Sequence, residues 1–166
     1  VDEILGLLTV SETYLLKNQN MTLDQAIVSA GHSFKLAEQA GIDFIMAVGV
    51  AFFCPYQGII PDKAILSVVE RLYNKGIRRL YLAASTGMEN PLQINRVFTA
   101  VRFGWPDIEI GFHMHERTGI ASANMFAALD AGATSVEGSI CGIGGGIVMP
   151  GGMGDIGNLP TEDIVN

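Results

Sequence analysis

Two histidines one residue apart, His113 and His115, are the strongest candidates for chemistry in this sequence. The apolar-rich residues 108–112 before them predict a β-strand. Side chains two positions apart on a strand point to the same face, so both imidazoles can bind one metal ion. The alternative is a pair of hydrogen-bonded structural histidines, and the spacing alone leaves both interpretations open.

A glycine-rich segment, residues 139–159, follows the last predicted strand and adds two candidates. The amide oxygen of Asn158, together with two imidazoles, would suit Mg²⁺ or Mn²⁺, with Zn²⁺ as a further option. The alternative for Asn158 is a turn or helix-capping residue. Cys141 lies at the end of the strand, where a thiol can act as an acid, base or nucleophile. A structural, buried cysteine is the alternative there.

Three polar residues follow the first predicted strand at the same edge of the sheet: Glu12, Lys17 and Asn18. They fall in residues 11–20, for which we predict a loop. Parallel strands present their carboxyl ends at one edge, so these side chains are candidates for the same site as the histidines. Taken as bare residues, Glu12, Lys17 and Asn18 are more often part of a surface loop than of a site.

Strand and helix patterns alternate along the whole chain. The predicted strands are residues 4–10, 43–50, 79–83, 108–112 and 134–138. The predicted helices are residues 22–40, 61–76, 91–104, 118–131 and a final one that begins at 161. This alternation predicts an α/β domain with a parallel sheet and crossover helices. No low-complexity linker interrupts it, so we treat residues 1–166 as a single domain.

Two architectures fit this order, a doubly wound open sheet and a (β/α)8 barrel. Both place function at the carboxyl ends of the strands. The first strand is not followed by a G-x-G-x-x-G motif, which weighs against a dinucleotide-binding open sheet. Five strands are too few to close an eight-stranded barrel, so a barrel would need about three more βα units, roughly 100 residues.

Composition excludes several classes of protein. The chain is 49% apolar and carries a net charge of −7, which weighs against nucleic acid or an anionic membrane as a partner. No apolar run is long enough for a transmembrane helix. Two well-separated cysteines, Cys54 and Cys141, predict reduced thiols and a cytoplasmic protein. Acidic residues before the first strand weigh against a signal peptide, whereas an upstream transit segment would indicate mitochondria.

Five blocks of sequence, taken in their order and spacing, resemble the metal-dependent lyases of the 3-hydroxy-3-methylglutaryl-CoA lyase family. The blocks are residues 11–22, 53–58, 113–124, 142–145 and 157–163. The resemblance implies a (β/α)8 barrel, of which this chain would supply about the fourth to the eighth strands. Because the sequence begins almost directly with a predicted strand, we expect it to be part of a longer protein.

The resemblance also implies a reaction and a metal site. The reaction is cleavage of a carbon–carbon bond in a 3-hydroxy-acyl-CoA or related hydroxy acid, by retro-aldol or Claisen chemistry. The implied metal ligands are His113, His115 and Asn158. The family's further ligand, an Asp in an Arg-Asp pair on the first barrel strand, has no counterpart in this sequence.

The remaining candidates receive roles from their place at the same edge of the predicted sheet. We predict Cys141 and Glu12 as catalytic groups, and Lys17 and Asn18 as residues that bind the cofactor portion of the substrate. The expected partners are a small hydroxy-acyl-CoA or hydroxy acid. We also expect either a homo-oligomer or pairing with the missing barrel strands, because exposed sheet edges associate readily.

Three positions depart from the lyase pattern. Gly146 stands where the lyases carry a catalytic Cys, Ala84 stands where they carry an Asp, and Glu116 replaces the Asp that usually follows the second histidine. The missing thiol leaves two alternatives to the lyase reaction open. One is an aldolase or synthase of the same barrel group that acts on a 2-oxo acid, and the other is a non-catalytic partial barrel.

Overall fold

Five parallel strands form the central sheet of the computed structural model, which describes residues 1–145, 150 and 156–166. The five strands of this sheet are β1 (Glu3–Thr9), β2 (Asp43–Gly49), β5 (Arg79–Ala84), β6 (Glu109–Met114) and β7 (Ser135–Glu137). Two short strands, β3 (Phe53–Cys54) and β4 (Gly58–Ile59), lie between β2 and β5 in the chain. The helices are α1 (Glu12–Gln19), α2 (Leu23–Ala40), α3 (Asp62–Tyr73), α4 (Pro91–Gly104), α5 (Ala121–Asp130) and α6 (Thr161–Val165). Strands β3 and β4 form a separate antiparallel hairpin.

The order of strands in the sheet is β1-β2-β5-β6-β7, the same as their order in the chain. A doubly wound sheet requires a reversal of strand order, and the described sheet has none. Crossover connections of one hand place the helices on one face of such a sheet. Of the two predicted architectures, this order favours the barrel. Within the described residues, no helix has the length and apolar character needed to cross a membrane.

Alternate residues along each strand pack outward against the helices or face inward. On β1, Leu8 is fully buried, whereas Leu5 and Leu7 are 59% and 52% exposed. On β6, the ring of Phe112 packs edge-on against Phe98, with centroids 5.6 Å apart. The helix-covered face therefore holds the hydrophobic core, and the opposite face is left for a cavity.

The segment after β1 is a helix, so the prediction of a loop at residues 11–20 was wrong. Ser11 caps this helix α1, and its Oγ accepts a hydrogen bond from the Tyr14 backbone N–H at 3.1 Å. Asn20 ends the helix in a left-handed conformation with φ of 53°. A side-chain cap at one end and a left-handed residue at the other define a short helix with little amphipathic pattern.

The other helices follow the prediction with small shifts at their ends. Thr22 and Gln25 form the predicted capping box of α2, and Gly41 ends that helix with φ of 67°. Helix α5 begins later than predicted, at Ala121. The carboxylate of Glu116 accepts hydrogen bonds from the backbone N–H groups just before and at the start of α5, at 2.6 and 3.0 Å. Glu116 therefore acts as a cap on this helix.

Arg79 ties together the amino-terminal ends of four strands. Its Nη1 lies 2.6 Å from Glu3 Oε2 and 3.3 Å from Asp43 Oδ2, and its Nε lies 3.1 Å from Glu109 Oε2. These partners belong to β1, β2 and β6, while Arg79 begins β5. The cluster is partly exposed, so each pair contributes modestly, but it joins the strands at the end opposite to the histidines.

Candidate active site at the carboxyl ends of the strands

A cavity of about 340 Å³ opens on the inner face of the sheet, near the carboxyl ends of the strands. All five strands of the sheet contribute to its wall. Besides the two histidines, its polar lining includes Thr9, Asn18, Ser85, Glu137 and Asn158. Leucines of β1 supply an apolar wall. A concave site with an apolar wall and a few convergent polar groups is typical of small-molecule binding.

The two histidines converge in this cavity. His113 lies on β6, and His115 follows one residue after the strand ends. Their Nε2 atoms are 3.2 Å apart, and the ring planes are inclined at 77°. The two rings thus aim their outer nitrogens at one point, as the spacing of two on a strand led us to expect.

The environment of His115 favours a neutral ring. The residue is 6% exposed, and its Nδ1 lies 3.1 Å from the Ile156 carbonyl oxygen. Burial lowers the pKa of His115, and the hydrogen bond to Ile156 only partly opposes this effect. Because a carbonyl oxygen can only accept, Nδ1 donates the hydrogen bond and the lone pair is left on Nε2. A neutral imidazole with a free Nε2 is the form that binds metal ions.

Asn158 lines the same cavity from the segment before α6. Its backbone pairs with His115 as an isolated antiparallel bridge. The Nδ2 group donates to the Ile143 carbonyl at 2.9 Å and to Ser139 Oγ at 3.3 Å. These two bonds fix the orientation of the amide, and the buried Oδ1 atom has no hydrogen-bond partner among the residues that the structure describes. An unpaired buried oxygen destabilises a fold by about 1–3 kcal/mol, so a ligand at this atom would relieve that penalty.

Two imidazole nitrogens and one amide oxygen are therefore available to a cation. In the part of the chain that the structure describes, no group of three or more His, Cys, Asp or Glu side chains is placed to hold a metal ion. Among those described side chains, the Asn158 oxygen is the candidate for a third protein donor. This mixed nitrogen and oxygen set, with its free oxygen, fits a divalent cation.

Glu137 is a neighbour of the histidines that the sequence did not indicate. The parallel register of β6 and β7 places Glu137 directly beside His113. Its Oε1 lies 2.7 Å from His113 Nδ1, which is ion-pair distance, although the contact lacks the angles of a hydrogen bond. Only the pairing register reveals this neighbour, and register is set by tertiary structure.

Residues of α1 divide between the cavity and its surroundings. Asn18 lines the cavity. Lys17 is exposed, and its Nζ lies 5.1 Å from the centre of the Tyr56 ring, within reach of a cation–π contact. Glu12 is exposed in the first turn of α1 and is not among the residues that line the cavity. Its catalytic role stays a prediction, as do the cofactor-binding roles of Lys17 and Asn18.

A buried polar cluster fixes α1 to the β3–β4 hairpin. Ser11 Oγ donates to Gln57 Oε1 at 2.5 Å, and the Cys54 thiol donates to Ser11 Oγ at 3.0 Å. Ser11 and Cys54 are 2% and 0% exposed. Cys54 is therefore a structural residue, and the cluster holds the hairpin beside the rim of the cavity.

Cys141 is exposed beside Glu162 and is not among the residues that line the cavity. It lies in a short 3₁₀ turn, Ile140–Gly142, with its side chain exposed. Its Sγ is 3.5 Å from Glu162 Oε1, and the Glu162 hydrogen bond and negative charge raise the pKa of the thiol. Cys141 does not line the cavity, so the structure does not bring it together with the metal candidates, and its catalytic role stays a prediction. Gly146 lies outside the described residues.

The loop after β5 contains a buried acid. Glu89 is 2% exposed, and its Oε1 accepts from the backbone N–H and the hydroxyl of Thr86, at 3.2 and 2.8 Å. Its Oε2 is buried and has no hydrogen-bond partner within the described part of the chain, and burial raises the pKa of Glu89. Asn124 of α5 donates to the Glu89 carbonyl at 3.1 Å. The acid therefore belongs to the packing of this loop, which also carries Ser85 into the cavity.

Comparison with known proteins shows what this arrangement is similar to. A family model described as HMGL-like matches residues 1–166. The hydroxymethylglutaryl-CoA lyase of Bacillus subtilis is 32% identical over 165 residues, which are 99% of this chain and 54% of that protein. The mitochondrial hydroxymethylglutaryl-CoA lyase of Mus musculus is 31% identical over 156 residues, which are 94% of this chain and 47% of that protein. The chain thus spans about half the length of these curated relatives.

A solved structure agrees with the sequence matches. The crystal structure of the Bacillus subtilis HMG-CoA lyase superposes with a TM-score of 0.90 at 32% identity, over 99% of this chain and 54% of that one. This likeness confirms the prediction of a (β/α)8 barrel, of which the chain forms a part. Sequence and structure together show that the chain belongs to the HMGL-like family.

Proposed function

We propose that the intact protein is a divalent-metal-dependent carbon–carbon lyase that cleaves a 3-hydroxy-acyl-CoA or a related hydroxy acid. Membership of a family that includes hydroxymethylglutaryl-CoA lyases supports the reaction class. The observation that carries the proposal is the buried Oδ1 of Asn158, which has no hydrogen-bond partner among the described residues and belongs to a residue that lines one cavity with His113 and His115. A solved relative from Acinetobacter baumannii, 30% identical, holds coenzyme A and 3-methylmalate.

In this proposal His113, His115 and Asn158 hold the metal ion. Mg²⁺ or Mn²⁺ is the expected ion because the amide oxygen is a hard donor, and Zn²⁺ is the alternative because imidazole also suits it. When bound, a divalent ion polarises the hydroxyl and carbonyl oxygens of a substrate and stabilises negative charge that develops on cleavage.

The other residues of the cavity bind and orient the substrate. Leu5 and Leu7 provide an apolar wall for the acyl group and exclude water from it. The hydroxyl groups of Thr9 and Ser85 offer hydrogen bonds to polar atoms of the acid. Lys17, exposed on α1 near the rim, offers a positive charge to the phosphates of a CoA thioester.

Metal binding is the direct test of the site. We expect calorimetry with Mn²⁺ to show at least tenfold weaker binding for His115→Ala and for Asn158→Ala, equivalent to about 1.4 kcal/mol. The matched control is His32→Ala, which removes an exposed histidine on α2 and leaves the cavity intact. Equal affinity in the wild type and both cavity variants, or an equal loss in the control, would contradict the metal assignment.

Substrate assays separate the lyase from its alternatives. The intact protein with Mg²⁺ or Mn²⁺ should release acetyl-CoA or a similar thioester from 3-hydroxy-acyl-CoA substrates. Turnover of 2-oxo acids alone would favour an aldolase or synthase. Metal binding without turnover of either class would favour a non-catalytic barrel.

A further inference from the structure

We propose that Glu137 is a positioning residue that determines which nitrogen of His113 carries the proton. Its carboxylate holds the ring with the proton on Nδ1, and this presents the lone pair of Nε2 to the cavity. This role rests on the proposed function, because a free lone pair on His113 Nε2 matters when a cation binds at the two Nε2 atoms. The tautomer itself, however, exists in the metal-free protein.

The geometry gives His113 one available acceptor on its Nδ1 side. Glu137 Oε1 lies at ion-pair distance, 2.7 Å, from that nitrogen, and among the described residues the buried Nδ1 has no hydrogen-bond partner. The register of β6 and β7 holds the two residues side by side, so the contact does not depend on a flexible loop. A carboxylate accepts hydrogen bonds and donates none, so it favours the ring form that carries hydrogen on Nδ1.

His115 shows the same arrangement with a different acceptor. Its Nδ1 donates to the Ile156 carbonyl at 3.1 Å. With both Nδ1 atoms protonated, two lone pairs face each other across the 3.2 Å that separates the Nε2 atoms. Two facing lone pairs repel, and a cation that binds both removes the repulsion.

Without Glu137, the two rings have a simple way to satisfy each other. His113 can move its proton to Nε2 and donate a hydrogen bond to His115 Nε2 at the distance already present. That internal hydrogen bond occupies both metal-binding nitrogens. The carboxylate therefore disfavours the self-paired state and keeps the pair available for a cation.

Glu137 does not serve as a ligand of the same ion in this geometry. Its carboxylate contacts the ring nitrogen on the side opposite to Nε2. Among the described residues, the two histidines and Glu137 do not form a metal-binding group of three. A partner behind a metal-binding histidine orients the ring, and its loss typically weakens metal affinity by about 10–100-fold.

The test is the ring tautomer of His113 in the metal-free full chain, measured by long-range ¹H–¹⁵N NMR with ¹⁵N-labelled histidine at pH 8. We expect hydrogen on Nδ1 in the wild type and a shift toward hydrogen on Nε2 in Glu137→Met, which keeps the length but removes the acceptor. Glu137→Gln retains an acceptor oxygen and should keep most of the wild-type tautomer. Ser135→Ala, on the same strand, is the control for disturbance of β7. Where E137M does not fold, Glu137→Ala provides the same comparison.

Calorimetry with Mn²⁺ completes the experiment. We expect E137M to bind about 10–100-fold more weakly than the wild type, with E137Q between them. An unchanged His113 tautomer in E137M overturns the inference, even if the wild type binds Mn²⁺ through its histidines. A tautomer that depends on Glu137 in a wild type that binds no Mn²⁺ overturns the proposed function and supports the positioning role.

Discussion

The buried acid Glu89 gives a sharp prediction about stability and pH. Its Oε1 has two donors from Thr86, whereas its Oε2 is buried with none. Glu89→Gln keeps the acceptor for Thr86 and replaces the unpaired oxygen by a neutral amide nitrogen. The substitution therefore removes a buried negative charge and leaves the size of the side chain unchanged.

The sign of the effect follows from the raised pKa of Glu89. Between the ordinary carboxyl pKa and the raised value, the folded protein retains a proton that the unfolded chain has lost. The free energy of unfolding therefore falls by about 1.4 kcal/mol per pH unit across that range. The stability is fully present below the ordinary pKa and is lost as the pH rises through the raised one. A glutamine at position 89 has no such dependence.

Between pH 5 and pH 8 we expect the stability of Glu89→Gln relative to the wild type to rise, by up to about 1.4 kcal/mol per pH unit. The difference should shrink toward low pH, because the fraction of folded wild type that carries a proton on Glu89 rises there. Urea unfolding followed by circular dichroism at pH 5, 6, 7 and 8 measures it. Glu70→Gln, at an exposed position on α3, is the control. A difference between variant and wild type that is the same at pH 5 and pH 8 would refute the reasoning.

Two further substitutions test the packing around the cavity. Gly111→Ala should lower the free energy of unfolding by about 1–3 kcal/mol, because the added methyl group would overlap the Tyr81 ring. In thermal unfolding, the double variant with Tyr81→Ala should regain part of the lost stability. A single variant as stable as the wild type would argue against this packing. Ser11→Ala should lose about 0.5–2 kcal/mol from the cap of α1 in urea unfolding. The loss of stability should exceed that of the matched cap variant Thr22→Ala, because Gln57 also loses a hydrogen-bond partner in Ser11→Ala. Equal losses in the two variants would show that the buried cluster contributes nothing to the free energy of unfolding.

The alternation of strands and helices was predictable because local signals mark it. The capping box at Thr22 and the left-handed Gly41 bound α2 as expected, since both act within a few residues. Helix α1 was not predicted because its sequence has little amphipathic pattern. The signal that could have found it is Ser11, a capping residue just before Glu12. The β3–β4 hairpin was not predicted either, because strands of two residues carry no periodicity.

The candidate site was predictable only where strand geometry decides it. The two histidines converge because a period of two is a property of any strand. Glu137 could not be assigned, because its place beside His113 depends on the register of β6 and β7. The direction of Cys141 also depends on tertiary structure, since the carboxylate of Glu162, far along the chain, binds its backbone N–H.

The ion cluster at Arg79 has a consequence for how this fold can change over evolution. The cluster ties the strands together at their amino-terminal ends, whereas the cavity is formed at their carboxyl ends. Mutations in the segments that follow the strands can therefore alter substrate choice while the cross-strand ties remain. A mutational library at Asn18 and Ser85, which follow strands and line the cavity, should yield folded variants with altered ligand preference, whereas a library around Arg79 should mainly yield changes in stability.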